Sequence, residues 1–433
     1  MGDARLRPLE TVRPTWRLET LRSQKWGVAE GGDSMHVLIV GGGIGGVTLA
    51  MCLERLGLRY TLLERGDQLR DAGTGIGVWT NGVAVLDQFG LGDEVRKLGD
   101  SIEQTISSTI DGRQLMQVDL SAFIRRPLSD CYLVPRTTFH QLLVSRIDPS
   151  AVKLGVICEG FSQSADIVVA HLADGRQIEG DILVGADGVG SAIRRQLWGE
   201  IPLRFCGPGW RGIANIAPLE AHINREVHGR AGERFGLCPM SAREVYWWAT
   251  HPGAPGDEVA VPERKAFLLD IFHDWPFGAA DLIAQTPDER ILYNDMVDIP
   301  PLRFWGRGRV TLLGDAAHPT TPNLAQGGCM AIEEAGLLAR LLKEGDDPQT
   351  ALRAYERLRI PRSRMIVNFS HLWGKMSDWR SGPARRLKEL VIRNWPRAAM
   401  ADFQRKLALY DLDREVDRGL AMSPRFAPSG WEG

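Results

Sequence analysis

Two spacings of apolar residues alternate along this chain. Runs that stay apolar at nearly every position, His36 to Val40, Tyr60 to Leu63, Ile182 to Val184 and Val310 to Leu313, predict short strands buried on both faces. An amphipathic helix follows the first run to about Leu56, and another opens at Gln326 beyond the last and continues past Glu333. Between Ile201 and about Asp298 the pattern changes to alternating short strands, clearest in Trp210 to Gly212, Arg234 to Cys238 and Val245 to Thr250. Period two puts Tyr246 and Trp248 on one face and Val245 and Trp247 on the other, with Pro239 to Glu244 as the hairpin loop. Ala351 to roughly Trp373 reads as a long helix, broken or bent near Pro361, its arginines forming a packing and solvated face.

The ends of the continuous strands carry the candidate chemistry. Gly41-Gly42-Gly43-Ile44-Gly45-Gly46 follows the first strand at once and opens a helix, the context that a dinucleotide-binding GxGxxG requires. Gly41 permits the tight turn, Gly43 lets backbone approach a pyrophosphate, and Gly46 allows close helix packing. Glu64 ends the next strand, at the spacing where an acid reaches ribose hydroxyls. These residues alone fit FAD and NAD(P) equally. At the carboxyl edge of Val310 to Leu313, Asp315 can accept hydrogen bonds from sugar-alcohol hydroxyls. The free N–H groups of Gln326, Gly327 and Gly328, with the helix dipole, favour a negatively charged partner such as a reduced flavin ring.

Composition narrows the partners. A chain of 433 residues with 44% hydrophobic content can bury a sizeable core and is expected to form two interleaved domains. A formal charge of -2 without a basic run gives no general attraction to nucleic acid or anionic membrane, which leaves small-molecule chemistry. Six cysteines without a CxxC pair read as buried thiols in a reducing, cytoplasmic compartment. Val37 to Leu53 is uncharged, but it holds five glycines and is short for a membrane span, so no integral membrane segment is expected. No HExxH or Cys/His cluster supports a metal, and no GxSxG elbow is present. His318 reads as a packing histidine. Residues 1–34 read as a disordered extension before a candidate start at Met35, and residues 375–433 carry no interpretable motif.

Two further segments give these motifs a family resemblance. Asp181-Ile-Leu-Val-Gly-Ala-Asp-Gly-Val-Gly-Ser-Ala-Ile-Arg194, around Asp187 and Gly188, and Gly314-Asp315 join Gly41 to Gly46 and Glu64. Over about residues 35 to 375 the chain resembles the single-component FAD-dependent aromatic hydroxylases typified by para-hydroxybenzoate hydroxylase. The resemblance implies an α/β (α+β overall) fold with a Rossmann-like FAD-binding domain and a mostly parallel sheet, from residues 35–75, 131–200 and 299–345. An antiparallel-sheet substrate domain from residues 76–130 and 201–298 would interleave with it, and residues 346–433 would form a C-terminal helical region. It also implies that Asp187 and Gly188 serve FAD pyrophosphate contact and nicotinamide passage, and that Arg136 is the flavin-phosphate arginine at a helix start. Ile44, Gly45, Arg65, Gly77 and Pro322 join the implied cofactor-binding set, with Gly73 to Gly77 leading to a strand beside the ring.

The implied activity is NAD(P)H-dependent monooxygenation: a flavin hydroperoxide delivers oxygen from dioxygen to an electron-rich aromatic or heteroaromatic substrate. No second strand-GxGxxG-helix occurs, so NAD(P)H must bind elsewhere and briefly. The enzyme would be a monomer or homodimer. Arg234 to Tyr246, and Gln326-Gly-Gly-Cys-Met-Ala-Ile-Glu333, resemble bacterial FAD-dependent urate hydroxylases. That likeness implies a purine substrate, urate, with Arg234 binding the anion and Tyr246 orienting it. The alternatives are a phenolic-acid or secondary-metabolite hydroxylase or epoxidase and, from another class, a flavin-binding redox or interaction protein without oxygen transfer.

Overall fold

The structure, a computed structural model, describes residues 35–69, 73–120 and 131–422. The expectation for residues 1–34, and parts of those for 76–130 and 346–433, lie outside the described residues. The continuous apolar runs form one five-stranded sheet, in the order Val310–Leu312, Ile182–Gly185, His36–Val40, Arg59–Leu63, Val152–Lys153. All neighbours in it are parallel. Its central strand, His36–Val40, is buried at every position, which is why that run lacks polar alternation.

Close backbone approach sets the first turn. Gly41 has φ +107, and a Cβ there would lie 2.4 Å from the Ala186 carbonyl oxygen. At Gly46 a Cβ would lie 1.9 Å from the carbonyl oxygen of Gly41, so the helix Ile44–Leu56 can seat against the strand only with glycine there. Gly327–Glu344 packs along the same helix, and its buried face includes Ile332, Ala335 and Leu338.

The alternating segment forms a seven-stranded sheet, ordered Leu292–Asp298, Arg204–Ala214, Glu244–Thr250, Arg234–Ser241, Ile223–His228, Gln104–Thr109, Gln114–Asp119. Neighbours are antiparallel except Ile223–His228 with Gln104–Thr109, which run parallel. The hairpin is tighter than its sequence suggests: Ser241 pairs with Glu244, leaving Ala242 and Arg243 as the turn. Buried Met240 carries the strand onward, and Pro239 is accommodated at a register shift where the ladder is already interrupted.

Val245, Trp247 and Phe235 are buried with Leu268, Phe272 and Ile283 of the helices Arg264–Phe272 and Ala279–Gln285. Phe235 and Trp247 stack at 5.7 Å. Their strand neighbours Tyr246 and Trp248 point the other way, toward the parallel sheet, as period two requires.

Beyond the second sheet, Pro348–Ser377 is a single 30-residue helix that runs through Pro361 without a break. Tyr355 and Leu358 before the proline and Ile366 and Val367 after it are buried, and this packing outweighs the one lost backbone hydrogen bond. Its arginines are divided between packing and solvent: Arg357 and Arg364 are exposed, whereas Arg359 is 1% exposed and meets Glu333 at 2.6 Å and Glu334 at 3.4 Å. Two adjacent carboxylates buried at the start of Gly327–Glu344 require that cation. Three helices follow, Gly382–Arg393, Arg397–Ala408 and Leu412–Ala421. Among the described residues no helix is long and apolar enough to cross a membrane.

Candidate active site

A cavity of about 710 Å³ lies between the carboxyl edge of the parallel sheet and the inner face of the seven-stranded sheet. Its floor is made by Gly43, Ile44 and Gly45, by Gly188, by Asp315, and by Pro322, Gln326, Gly327 and Gly328. Gly77 and Arg136 line one side, and Arg234, Tyr246 and Trp248 form the roof. Residues scattered from 43 to 328 thus converge on one space. Gly41, Gly46, Glu64, Arg65 and Asp187 do not line it.

Each of those five has a different place. Gly41 and Gly46 shape the turn from behind. The Glu64 carboxylate accepts hydrogen bonds from the Gly42 and Gly66 N–H groups, both at 2.7 Å, which fixes it at the strand end with lone pairs to spare. Arg65 is exposed beside it. The Asp187 carboxylate turns away from the cavity and accepts from Ser191 Oγ at 2.6 Å and Ala192 N at 2.8 Å. It holds the start of the helix Ala192–Trp198, while its neighbours Ala186, Gly188 and Val189 face the cavity. Arg194, the last residue of that motif, ties the turn to the flavin-type loop by donating to the carbonyls of Val189 and of Ala316, the latter at 2.8 Å.

The floor fits an extended ligand with polar and anionic groups. A Cβ built on Gly43 or Gly188 meets nothing within 4 Å, so the backbone there faces open space rather than packed neighbours. Gly43 precedes the first helical turn of Ile44–Leu56, and Gln326 that of Gly327–Glu344, so both helix starts aim their unpaired N–H groups at this space. Ala325 sits just before the second helix in the left-handed region, φ 49, a strained conformation kept at the cavity wall. The Asp315 side chain is exposed to the open cavity while the surrounding protein walls limit its solvent. This desolvation raises its pKa, against the opposing pull of His318, Arg136 and Arg194.

His318 is buried and its Nε2 lies 2.7 Å from Glu334 Oε1. Burial opposes its protonation, but the Glu334 carboxylate and that hydrogen bond prevail and raise its pKa. Glu334 also accepts from Gly314 N at 2.9 Å, at the loop that bears Asp315.

On the roof, Arg234 is committed to several partners. Its guanidinium meets Glu226 at 3.2 Å, donates to Asn323 Oδ1 at 2.9 Å and to Thr250 Oγ1 at 3.3 Å, and lies over the Trp248 ring at 5.4 Å. Burial pushes the Tyr246 phenol above its usual pKa, with the Arg211 charge and the Thr74 hydroxyl acting the other way. Asn323 was not singled out from sequence, nor were Trp79 and Thr105, whose Nε1 and Oγ1 line the cavity buried and without a hydrogen-bond partner. The long helix contributes Phe369 and Trp373 to the wall, and the region read as without motif contributes Phe403, with Phe369 and Phe403 stacked at 4.0 Å. Phe369 and Trp373, one helical turn apart, were the available signal.

Comparison with known proteins agrees with this geometry. The model of an FAD binding domain family matches residues 34–370. Aurachin C monooxygenase/isomerase from Stigmatella aurantiaca is 34% identical over 83% of this chain and 94% of its own length. The 2-heptyl-3-hydroxy-4(1H)-quinolone synthase of Pseudomonas aeruginosa is 32% identical over 86% and 97%, and the FAD-dependent urate hydroxylase of Klebsiella oxytoca 31% over 77% and 88%. In structure, Klebsiella pneumoniae HpxO complexed with FAD and uric acid superposes with a TM-score of 0.78 at 27% identity, covering 90% of this chain and 98% of that one. A fold with parallel-sheet floor and antiparallel roof, a glycine-lined seat and these relatives lead to one assignment: the chain belongs to the FAD-dependent aromatic hydroxylase and monooxygenase family, with FAD as its cofactor.

Proposed function

We propose that this protein is an NAD(P)H-dependent FAD monooxygenase that transfers one atom of dioxygen to a neutral, electron-rich heteroaromatic ring bearing an apolar substituent. The observation that carries this reading is the state of the roof: the Arg234 charge is already compensated by Glu226, and the surrounding wall of Tyr246, Trp248, Met116, Leu120 and Leu133 is apolar or aromatic. Such a wall rewards apolar contact and offers an anion little uncompensated charge. The 2-heptyl-3-hydroxy-4(1H)-quinolone synthase relative, whose name gives a quinolone bearing an alkyl chain, supports the same class.

In this reading FAD, when bound, supplies the activation of dioxygen, and the chain supplies position and electrostatics. Gly43, Ile44 and Gly45 at the helix start take the pyrophosphate, with Arg136 on a phosphate and Glu64 on the adenosine ribose. Arg65 flanks that ribose end. Asp187 positions the turn that presents Gly188, and Asp315 binds a sugar-alcohol hydroxyl. Gly77 and Pro322 border the ring, and the N–H groups at Gln326, Gly327 and Gly328 stabilise negative charge on it. Tyr246 orients the substrate, and the apolar side chains around it limit water at the ring.

Urate is the competing substrate, because Arg234 and Tyr246 line one cavity and the HpxO structure contains uric acid. Purified yellow protein is to be screened with 2-alkyl-4-quinolones, urate and phenolic acids for stimulated NADH and NADPH oxidation and a product one oxygen atom heavier. We expect a quinolone-type compound to stimulate. Stimulation by urate alone, with a Michaelis constant raised strongly in Arg234→Ala while FAD stays bound, would replace the substrate class; a colourless protein that takes up no FAD would overturn the whole reading.

A further inference from the structure

The helix Gly382–Arg393 is turned inside out. Its Lys388 is buried, 2% exposed, with Nζ donating to the Ser377 carbonyl at 3.2 Å, and beside it Ile392 packs on Leu115 and Trp373. Leu387, Leu390 and Val391, at 50%, 59% and 37% exposure, face outward instead. Their spacing of three and four residues puts them on one stripe. Arg386 and Arg393, both exposed, lie along one edge of that stripe, and exposed Trp379 and Arg380 precede the helix. Between Trp379 and Lys406 the chain has Arg or Lys at eight positions and Asp or Glu at two, although its total charge is -2. Lys388 is buried, Arg385 pairs with Glu389 and Lys406 with Asp402, so the exposed Arg380, Arg386 and Arg393 give this face its net positive charge.

We propose that this face docks the protein on an anionic lipid surface, with Leu387, Leu390 and Val391 entering the headgroup and acyl boundary and Arg386 and Arg393 meeting lipid phosphates. An apolar stripe edged by cations is the pattern of an interfacial helix. A second copy of the chain fits less well, because a two-fold contact through this stripe would bring the same arginines against one another. The location adds purpose: Trp373, against which Ile392 packs, also lines the catalytic cavity, so the docked helix is the outer layer of the substrate wall. The inference does not depend on which substrate the cavity takes.

The test uses the full-length, FAD-loaded protein and sedimentation with vesicles of phosphatidylcholine alone or mixed with phosphatidylglycerol. Binding to the mixed vesicles and not the neutral ones is expected. Leu387→Asp with Leu390→Asp should lower the partition coefficient about a hundredfold, because two leucines no longer leave water, and Arg386→Glu with Arg393→Glu should lower it as well. The flavin spectrum and thermal midpoint should hold in both variants, since all four side chains are exposed. Absence of binding, or equal binding to neutral vesicles, overturns the proposal. So does a dimer, seen by light scattering, that Leu387→Asp with Leu390→Asp dissociates, which would make a second copy the occupant.

Discussion

Beneath the cavity floor, charged groups are buried in an ion-paired cluster; above its roof, the buried mass is stacked aromatic rings. Glu333 is fully buried and satisfied by Arg359, Arg362 and Asn81, and Glu334 by Arg359, His318 and the Gly314 N–H. In the roof, Trp210, Phe235 and Trp247 make ring contacts and no ion pair joins them, whereas single unpartnered atoms occur on both sides, Trp210 Nε1 above and Arg359 Nε below. The contrast follows from what each side must recognise. A fixed polar cofactor demands fixed donors and acceptors, and these in turn need a rigid, neutralised foundation. An apolar wall can be reshaped one side chain at a time, at a cost set by volume alone.

The sharpest break of this contrast is Arg359→Ala. It removes the cation shared by two buried carboxylates, leaving Glu333 to Arg362 and Glu334 to His318, and we expect a loss of about 3 kcal/mol in urea denaturation. A loss below about 1 kcal/mol would mean that the foundation is no more specialised than the surface.

Next is a pair of glycine substitutions on the floor. Gly43→Val should leave the apoprotein's stability within about 1 kcal/mol, because its Cβ meets nothing, yet weaken FAD binding at least about tenfold by filling the seat. Gly46→Ala should instead destabilise the apoprotein by about 1–3 kcal/mol, because its Cβ collides with the Gly41 carbonyl. Fluorescence titration with FAD and thermal melts separate the two.

On the roof, Trp248→Ala should raise the Michaelis constant about tenfold with FAD affinity unchanged, since it removes an aromatic wall and the cation–π partner of Arg234. Loss of FAD in that variant would show that the roof supports the cofactor too. The smallest effect is a pH dependence. His318 has a raised pKa in the fold, so its contribution is fully present below its unfolded value near 6.5 and fades as pH rises through the folded value. The thermal midpoint should therefore fall by about a degree or two on the alkaline side, and His318→Gln should remove that slope.

The same contrast governed what the sequence revealed. The cavity-lining Gly43 to Gly45, Asp315 and Gln326 to Gly328, and the turn glycines Gly41 and Gly46 behind them, were legible because turns and helix starts have local requirements. Tyr246 and Trp248 were legible through alternation, which fixes a face but not what lies opposite. The Asn323 bond to Arg234 spans 89 residues and has no local mark. Phe369, Trp373 and Phe403 look like any buried aromatics until the helices fold against the cavity. Which arginine of the long helix packs is not legible locally, because the partners of Arg359, Glu333 and Glu334, belong to a different helix.

That Arg234 to Asn323 bond joins the roof to the loop that carries Pro322 and leads into the Gln326 helix start. A ligand that needs either end displaced works against the other. Reciprocity then gives the link a measurable form: the factor by which FAD changes the affinity for substrate equals the factor by which substrate changes the affinity for FAD. Asn323→Ala should bring both factors toward one together, so two equilibrium titrations on opposite faces of the cavity would report a single number.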